Sequence, residues 1–144
     1  MSTQIPKHVK SLISHISKTN SLERIYLKDL NIKKIQNGKL EATLKTPYHN
    51  NTGFLTFLVD SVTTIAGFEQ SGKPGVSVSL DINRVDDVVK FSNQMAEAQT
   101  ESKILKIVAE QISHSDSLAV QECRIFDGEN DKIVAYGSHV KFIG

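Results

Sequence analysis

From Phe54 to Phe68 the chain places Phe54, Leu55, Phe57, Leu58, Val59, Val62, Ile65, Ala66 and Phe68 where, at 100° per residue, they cover well over half the circumference of a helix. A helix apolar on most sides has to be enclosed, and a sheet curled around it is the economical enclosure. One narrow stripe of Thr56, Asp60, Thr63, Thr64 and Gly67 is left over. A carboxylate among small residues on such a helix is costly unless it is paired, hydrogen-bonded or used in chemistry. Asp60 is therefore the first candidate for a functional residue. The segment just before, His49-Asn50-Asn51-Thr52-Gly53, supplies helix N-cap residues, and the spacing predicts a helix over 54–69.

The rest of the chain reads as sheet. Val9, Leu12, Ile13 and Ile16 recur at helical spacing and predict a short amphipathic helix over 7–19. The stretch from Arg24 to Ile35 alternates imperfectly, Asn37-Gly38 is a hairpin turn, and Lys39–Thr46 is the returning strand, closed by Pro47. After the loop Ser71–Gly75, residues 76–85 alternate over their whole length, which puts Ser77 and Ser79 on one face of a strand. Residues 86–100 are less regular and suit a short helix or an excursion. Runs at 103–114, 118–127 and 132–143, separated by two turn segments, form an antiparallel meander. The order predicts an α+β fold: about six antiparallel strands wrapped around one long central helix, with a short helix at the N-terminal end, and residues 1–144 as a single domain.

The 144 residues carry 17 Lys+Arg against 16 Asp+Glu, a net charge of +1, so no general attraction to nucleic acid is expected. No apolar run approaches the ~20 residues needed to span a bilayer, and membrane insertion is not expected. The single cysteine, Cys123, cannot form an internal disulfide, which suits a reducing, cytoplasmic setting. The first 22 residues have Ser and Lys and no acid, as mitochondrial presequences do, but no Arg, so a mitochondrial location is the alternative. Cys123 alternates within a strand and reads as a small buried residue. His114 and His139 fall on a turn and a strand with no acidic spacing that would make a metal site, and no metal is expected. Neither a nucleophile elbow nor a phosphate-binding glycine loop is present.

Leu58-Val59-Asp60 on the helix, Gly75-Val76-Ser77-Val78 opening the next strand, and Ala135-Tyr136-Gly137-Ser138-His139-Val140-Lys141 in the last strand carry a resemblance over nearly the whole chain. In that order the chain resembles the hotdog-fold acyl-CoA thioesterases, in the phenylacetate-pathway-like group that includes thioesterase superfamily member 2. The resemblance implies a hotdog fold, a homodimer assembling further to a homotetramer, an active site at the dimer interface, acyl-CoA as substrate, and no cofactor beyond the CoA of the substrate itself. It implies Asp60 as general base or nucleophile facing the partner subunit's loop, and Ser77 as its assistant. Asn51 matches the loop Asn that positions water or substrate, with Asn50 close behind, and Gly53 matches the glycine whose N–H holds the oxyanion. His49, the histidine nearest the helix start, joins Asn50 as a candidate substrate contact.

The sequence departs from this pattern twice. The family's His-Gly-Gly turn is missing, Gly53 running straight into Phe54-Leu55 in a loop about six residues shorter. About ten residues around 86–98 are inserted where the family has a short turn. The expected activity is hydrolysis of an acyl-CoA thioester to free acid and CoA. The alternative is a catalytically impaired hotdog protein acting as an acyl- or CoA-binding or structural subunit. A hotdog dehydratase is disfavoured by the lack of a histidine within the helix start.

Overall fold

The computed structural model describes residues 5–19, 28–85 and 101–144, the side chains of 16–19 excepted. In chain order the elements are α1 (Lys7–Thr19), β1 (Asn31–Gln36), β2 (Lys39–Thr46), α2 (Thr52–Ser71), β3 (Val76–Arg84), β4 (Lys103–His114), β5 (Leu118–Asp127) and β6 (Ile133–Phe142). The strands form one antiparallel six-stranded sheet in the order β1-β2-β4-β5-β6-β3. This sheet curls around α2, which touches every strand of it.

Period-two alternation decides which side chains meet the helix. Leu40, Ala42 and Leu44 of β2, Leu105, Ile107 and Ala109 of β4, and Cys123 and Ile125 of β5 are buried with Leu55, Leu58, Val59, Val62, Ile65 and Ala66 of α2 in one core. At ~1.5–3 kcal/mol for each large aliphatic side chain, this core carries the fold. Val9 of α1 is fully buried in the same core, while Leu12 and Ile13 pack against it. The apolar core does not extend to the far end of the sheet. There the inward positions include Gln111, Gln121, His139 and Lys141, all buried, beside the small Ala119.

The local chemistry of the ends follows the sequence. Asn37 and Gly38 take φ of 54° and 76° in the β1–β2 turn, the positive angles a two-residue hairpin requires. The Asn51 side chain caps α2 by accepting from the Phe54 N–H at 2.9 Å, and Gly72 ends the helix in the left-handed region with φ 72°. With both caps in place α2 is longer than its apolar run, covering 52–71 rather than 54–69. β1 begins at Asn31, after a turn at 28–29, so only the later part of the Arg24–Ile35 stretch is strand among the described residues; 24–27 lie outside them. The expectation for 86–100 also falls outside them.

A register shift in β3 sets where its first serine points. β3 pairs with β6 as Ser77 to Lys141 and then Ser79 to Val140, so the alternation slips at Val78. A bulge of this kind turns consecutive odd positions to opposite faces. Ser77 faces α2 and Ser79 faces away, which corrects the expectation that both serines share a face.

Candidate functional site

The polar stripe of α2 lies against the polar inward end of β6. Thr63 and Thr64 each turn their hydroxyl back onto the helix, Thr63 Oγ1 donating to Val59 O at 2.6 Å and Thr64 Oγ1 to Asp60 O at 2.7 Å. With its proton on the Asp60 carbonyl, Thr64 Oγ1 is an acceptor for β6. Lys141 Nζ donates to Thr64 Oγ1 at 2.7 Å, and His139 Nδ1 lies 2.8 Å from Thr63 Oγ1. The other imidazole nitrogen, Nε2, lies 2.7 Å from Ser77 Oγ of β3 and 3.7 Å from Asp60 Oδ1. His139 thus sits at the meeting point of α2, β3 and β6.

Burial sets the charge of this group. His139 is fully enclosed, and its pKa is pushed down to about 4, first by desolvation and next by the Lys141 charge, with Asp60 opposing both. Protonating it at neutral pH would cost ~4 kcal/mol even with the attraction of Asp60 included. His139 is therefore neutral, and its approach to Asp60 is not a salt bridge. The Asp60 side chain is 35% exposed, so one edge of the carboxylate faces out of the subunit. The chain thus presents a half-exposed acid, a serine hydroxyl and a neutral imidazole side by side.

The loop candidates lie elsewhere. Gly53 and Asp60 share a helix face two turns apart, ~10 Å along the axis, and Asn51 is farther still. A single carbonyl cannot reach both ends within one chain. Asn51 spends its Oδ1 on the helix cap, which leaves its Nδ2 directed elsewhere. The Asn50 carbonyl accepts from Arg84 Nη1 at 2.5 Å, and the same nitrogen lies 3.0 Å from Thr52 Oγ1, so the end of β3 ties down the loop. His49 turns inward, 7% exposed, with Nε2 3.1 Å from the Glu101 carbonyl oxygen, which occupies that ring nitrogen with backbone. At Gly53 an added Cβ would meet nothing nearer than the Asn51 cap oxygen at 3.2 Å, so the first turn of α2 is open on that side.

Asp60 and Ser77 are thus brought near the same imidazole, while Asn50, Asn51 and Gly53 lie at the other end of α2 and His49 is buried beside them. Sequence reasoning passed over His139 and Lys141. Their signal was a parity one: Ala135, Gly137, His139 and Lys141 alternate on one face of β6, and that face carries two ionisable groups where an apolar continuation is expected. Cys123 is buried as expected, and burial pushes its thiol up to about 12. Among the described residues no cluster of three or more His, Cys, Asp or Glu could hold a metal ion, and no helix is long and apolar enough to cross a membrane.

A six-stranded antiparallel sheet curled around one long helix, with an acid on the helix facing outward, defines a hotdog-fold protein, and thioesterase superfamily structures share this architecture. Thioesterase superfamily member 2 of zebrafish superimposes with a TM-score of 0.74 at 22% identity, over 94% of this chain and 96% of that one. The mouse protein of the same name superimposes with a TM-score of 0.71 at 20% identity, over 97% and 100%. A hypothetical thioesterase from Streptococcus pneumoniae, solved with coenzyme A, gives 0.67 at 16% identity, over 90% and 96%. No protein-family model and no curated protein sequence matches the chain. At these identities the likeness carries the fold.

Proposed function

We propose that the protein hydrolyses an acyl-CoA thioester to a free acid and CoA, in an active site completed by a second copy of the chain. The observation that carries this reading is the placement of Asp60, half-exposed on α2, beside Ser77 and His139, with the open helix start too far away to serve it within the same subunit. A partner that pairs with β3, the sheet edge on which Val76 and Val78 are exposed, would bring its own helix start toward Asp60. The presence of coenzyme A in the Streptococcus pneumoniae structure supports CoA as the leaving group.

In this reading the Asp60 carboxylate takes a proton from water while the water oxygen attacks the thioester carbon. The carbonyl oxygen becomes an oxyanion held by free N–H groups near Gly53 of the other copy, at the positive end of α2, and Asn51 orients the carbonyl or the water through Nδ2. Ser77 holds the water. Collapse breaks the C–S bond, the thiolate leaves as CoA, and it takes up the proton from Asp60 or from solvent. Neither metal nor further cofactor is required by this chemistry. Dimers would associate into tetramers in the cytoplasm, with Asn50 and His49 shaping the loop that faces the substrate.

The test is free-thiol release from short, medium, long and aryl acyl-CoAs, with the wild type beside Asp60→Asn. Turnover that collapses in a folded, dimeric Asn variant supports the reading. Turnover that survives the substitution removes Asp60 from the mechanism. No turnover on any substrate, with CoA still raising the unfolding temperature, moves the protein to a ligand-binding subunit; the missing His-Gly-Gly turn favours that outcome.

A further inference from the structure

The hydrogen bonds around His139 define a role beyond those of Asp60 and Ser77, and only its kinetic consequence rests on the hydrolase reading. Thr63 has one hydroxyl proton; its shortest contact is the Val59 carbonyl at 2.6 Å, with the Asp60 carbonyl 3.2 Å away on the same turn. With the proton placed there, the threonine oxygen can only accept at His139 Nδ1, 2.8 Å away, so Nδ1 carries the ring proton. In a neutral imidazole Nε2 is then bare and can only accept. Ser77 Oγ lies 2.7 Å from Nε2, so the serine is the donor. The Asp60 carboxylate cannot donate when ionised, and at 3.7 Å it is not hydrogen-bonded to Nε2. This arrangement satisfies every hydroxyl and ring nitrogen in the cluster.

We infer that His139 is a positioning residue: anchored on Thr63 as the Nδ1–H tautomer, it draws the hydroxyl proton of Ser77 inward and leaves the serine lone pairs turned outward. Ser77 Oγ and Asp60 Oδ1 lie 2.7 and 3.7 Å from the same nitrogen, and the proposed arrangement places a single water between them. Such a water gives one hydrogen to the Ser77 lone pair and the other to the Asp60 carboxylate, which aims an oxygen lone pair away from both, toward the carbonyl. Ser77 is then an acceptor that orients water, neither a nucleophile nor an oxyanion donor. A serine next to a histidine is also the geometry of a nucleophile and its base. Here Nδ1 faces the Thr63 hydroxyl rather than a carboxylate, so nothing on that side stabilises the imidazolium that proton abstraction would leave.

The surroundings hold this state. The charged groups that act on His139 are Asp60 of α2 and Lys141 of its own strand, while its cross-strand neighbours, Gln121 of β5 and Leu80 of β3, are neutral. Lys141 is itself held on Thr64 and opposes a second positive charge beside it. The bulge at Val78 turns Ser77 toward the imidazole.

Two measurements test the inference. The ¹⁵N shifts of the His139 ring in the wild-type protein are expected to show a protonated Nδ1 and a bare Nε2 throughout about pH 6 to 8; a protonated Nε2 overturns the proposal, whatever the activity. In kinetics on the best acyl-CoA of the panel, His139→Asn keeps a donor near the Nδ1 position and loses the acceptor for Ser77. His139→Asn and Ser77→Ala are each expected to lower kcat by about tenfold or more with little change in KM, and the double variant to fall no further. His139→Gln, whose Oε1 can occupy the Nε2 position, is expected to recover part of the loss. Wild-type kcat in a folded His139→Asn protein, or single effects that multiply in the double variant, overturns it. If no acyl-CoA is turned over, the hydrolase reading fails while the tautomer measurement still decides this one.

Discussion

Gly137 of β6 lies so close under Val59 of α2 that a Cβ built on the glycine would stand 2.6 Å from Val59 Cγ1 and 3.0 Å from Cγ2. Both residues belong to fixed elements, since Val59 is fully buried in mid-helix and Gly137 pairs with Ile82 and Cys123 on either side. The missing side chain sets the distance between α2 and β6, and that distance lets Thr63 and Thr64 reach His139 and Lys141 directly. Gly137→Ala is expected to destabilise the protein by ~1–3 kcal/mol through overpacking and to lengthen the Thr63–His139 contact. Urea unfolding measures the first effect. An Ala variant as stable as the wild type would mean that the helix can shift freely against β6.

His139 also makes stability depend on pH. Its folded pKa of about 4 lies below the ordinary 6.5, so between these values the unfolded chain binds a proton that the folded chain refuses. Stability from this group is fully present above pH 6.5 and is lost as the pH falls toward 4, on the order of 3 kcal/mol in all. Asp127, held low chiefly by the Glu129 backbone N–H, acts in the same direction. The comparison must therefore be with His139→Gln, which lacks the imidazole. Unfolding free energies between pH 7 and about 4.5 are expected to fall more steeply for the wild type; parallel curves would show that His139 titrates normally.

Cys123 stands between Glu122 and Arg124 in β5, and its thiol is fully buried with its pKa raised to about 12. The reactive thiolate is thus absent twice over, by access and by protonation. A thiol reagent is expected to modify the folded protein only as fast as it opens, and to react at once in denaturant. Rapid labelling under native conditions, in a protein whose circular dichroism is unchanged, would contradict the buried placement.

The same physics decides how much of this was legible in the sequence. The hairpin at Asn37-Gly38, β2, β4 and β5 were read with their observed bounds, because period-two alternation and turn chemistry are local signals. The long helix was found from its apolar girth, and only its capped ends were missed. The stripe of Thr56, Asp60, Thr63, Thr64 and Gly67 was visible, but what it faces was not. Its partners Ser77, His139, Lys141 and Gln121 come from three other strands, and one of them depends on a bulge. A bulge leaves no local mark in an alternating run, so periodicity put Ser77 and Ser79 on one face and only the resemblance singled out Ser77. His139 was weighed only as a metal ligand, because its partners are hydroxyls, which give no recognisable spacing.

Asn51 has two separable tasks, and substitution can part them. Its Oδ1 accepts from the Phe54 N–H and caps α2, while the proposed catalytic role uses Nδ2. Asn51→Ala removes both, and is expected to cost about 1 kcal/mol of stability together with most of the turnover. Asn51→Asp keeps an acceptor at the cap and adds a negative charge at the helix start, so stability is expected to match or slightly exceed the wild type. The Asp side chain has no donor when ionised, and it places a like charge where an oxyanion must form. Its turnover is therefore expected to fall at least as far as that of the Ala variant. Thermal unfolding and thiol release on the same three proteins check the separation. An Asp variant that is stable and fully active would confine Asn51 to capping and leave the oxyanion to the backbone near Gly53.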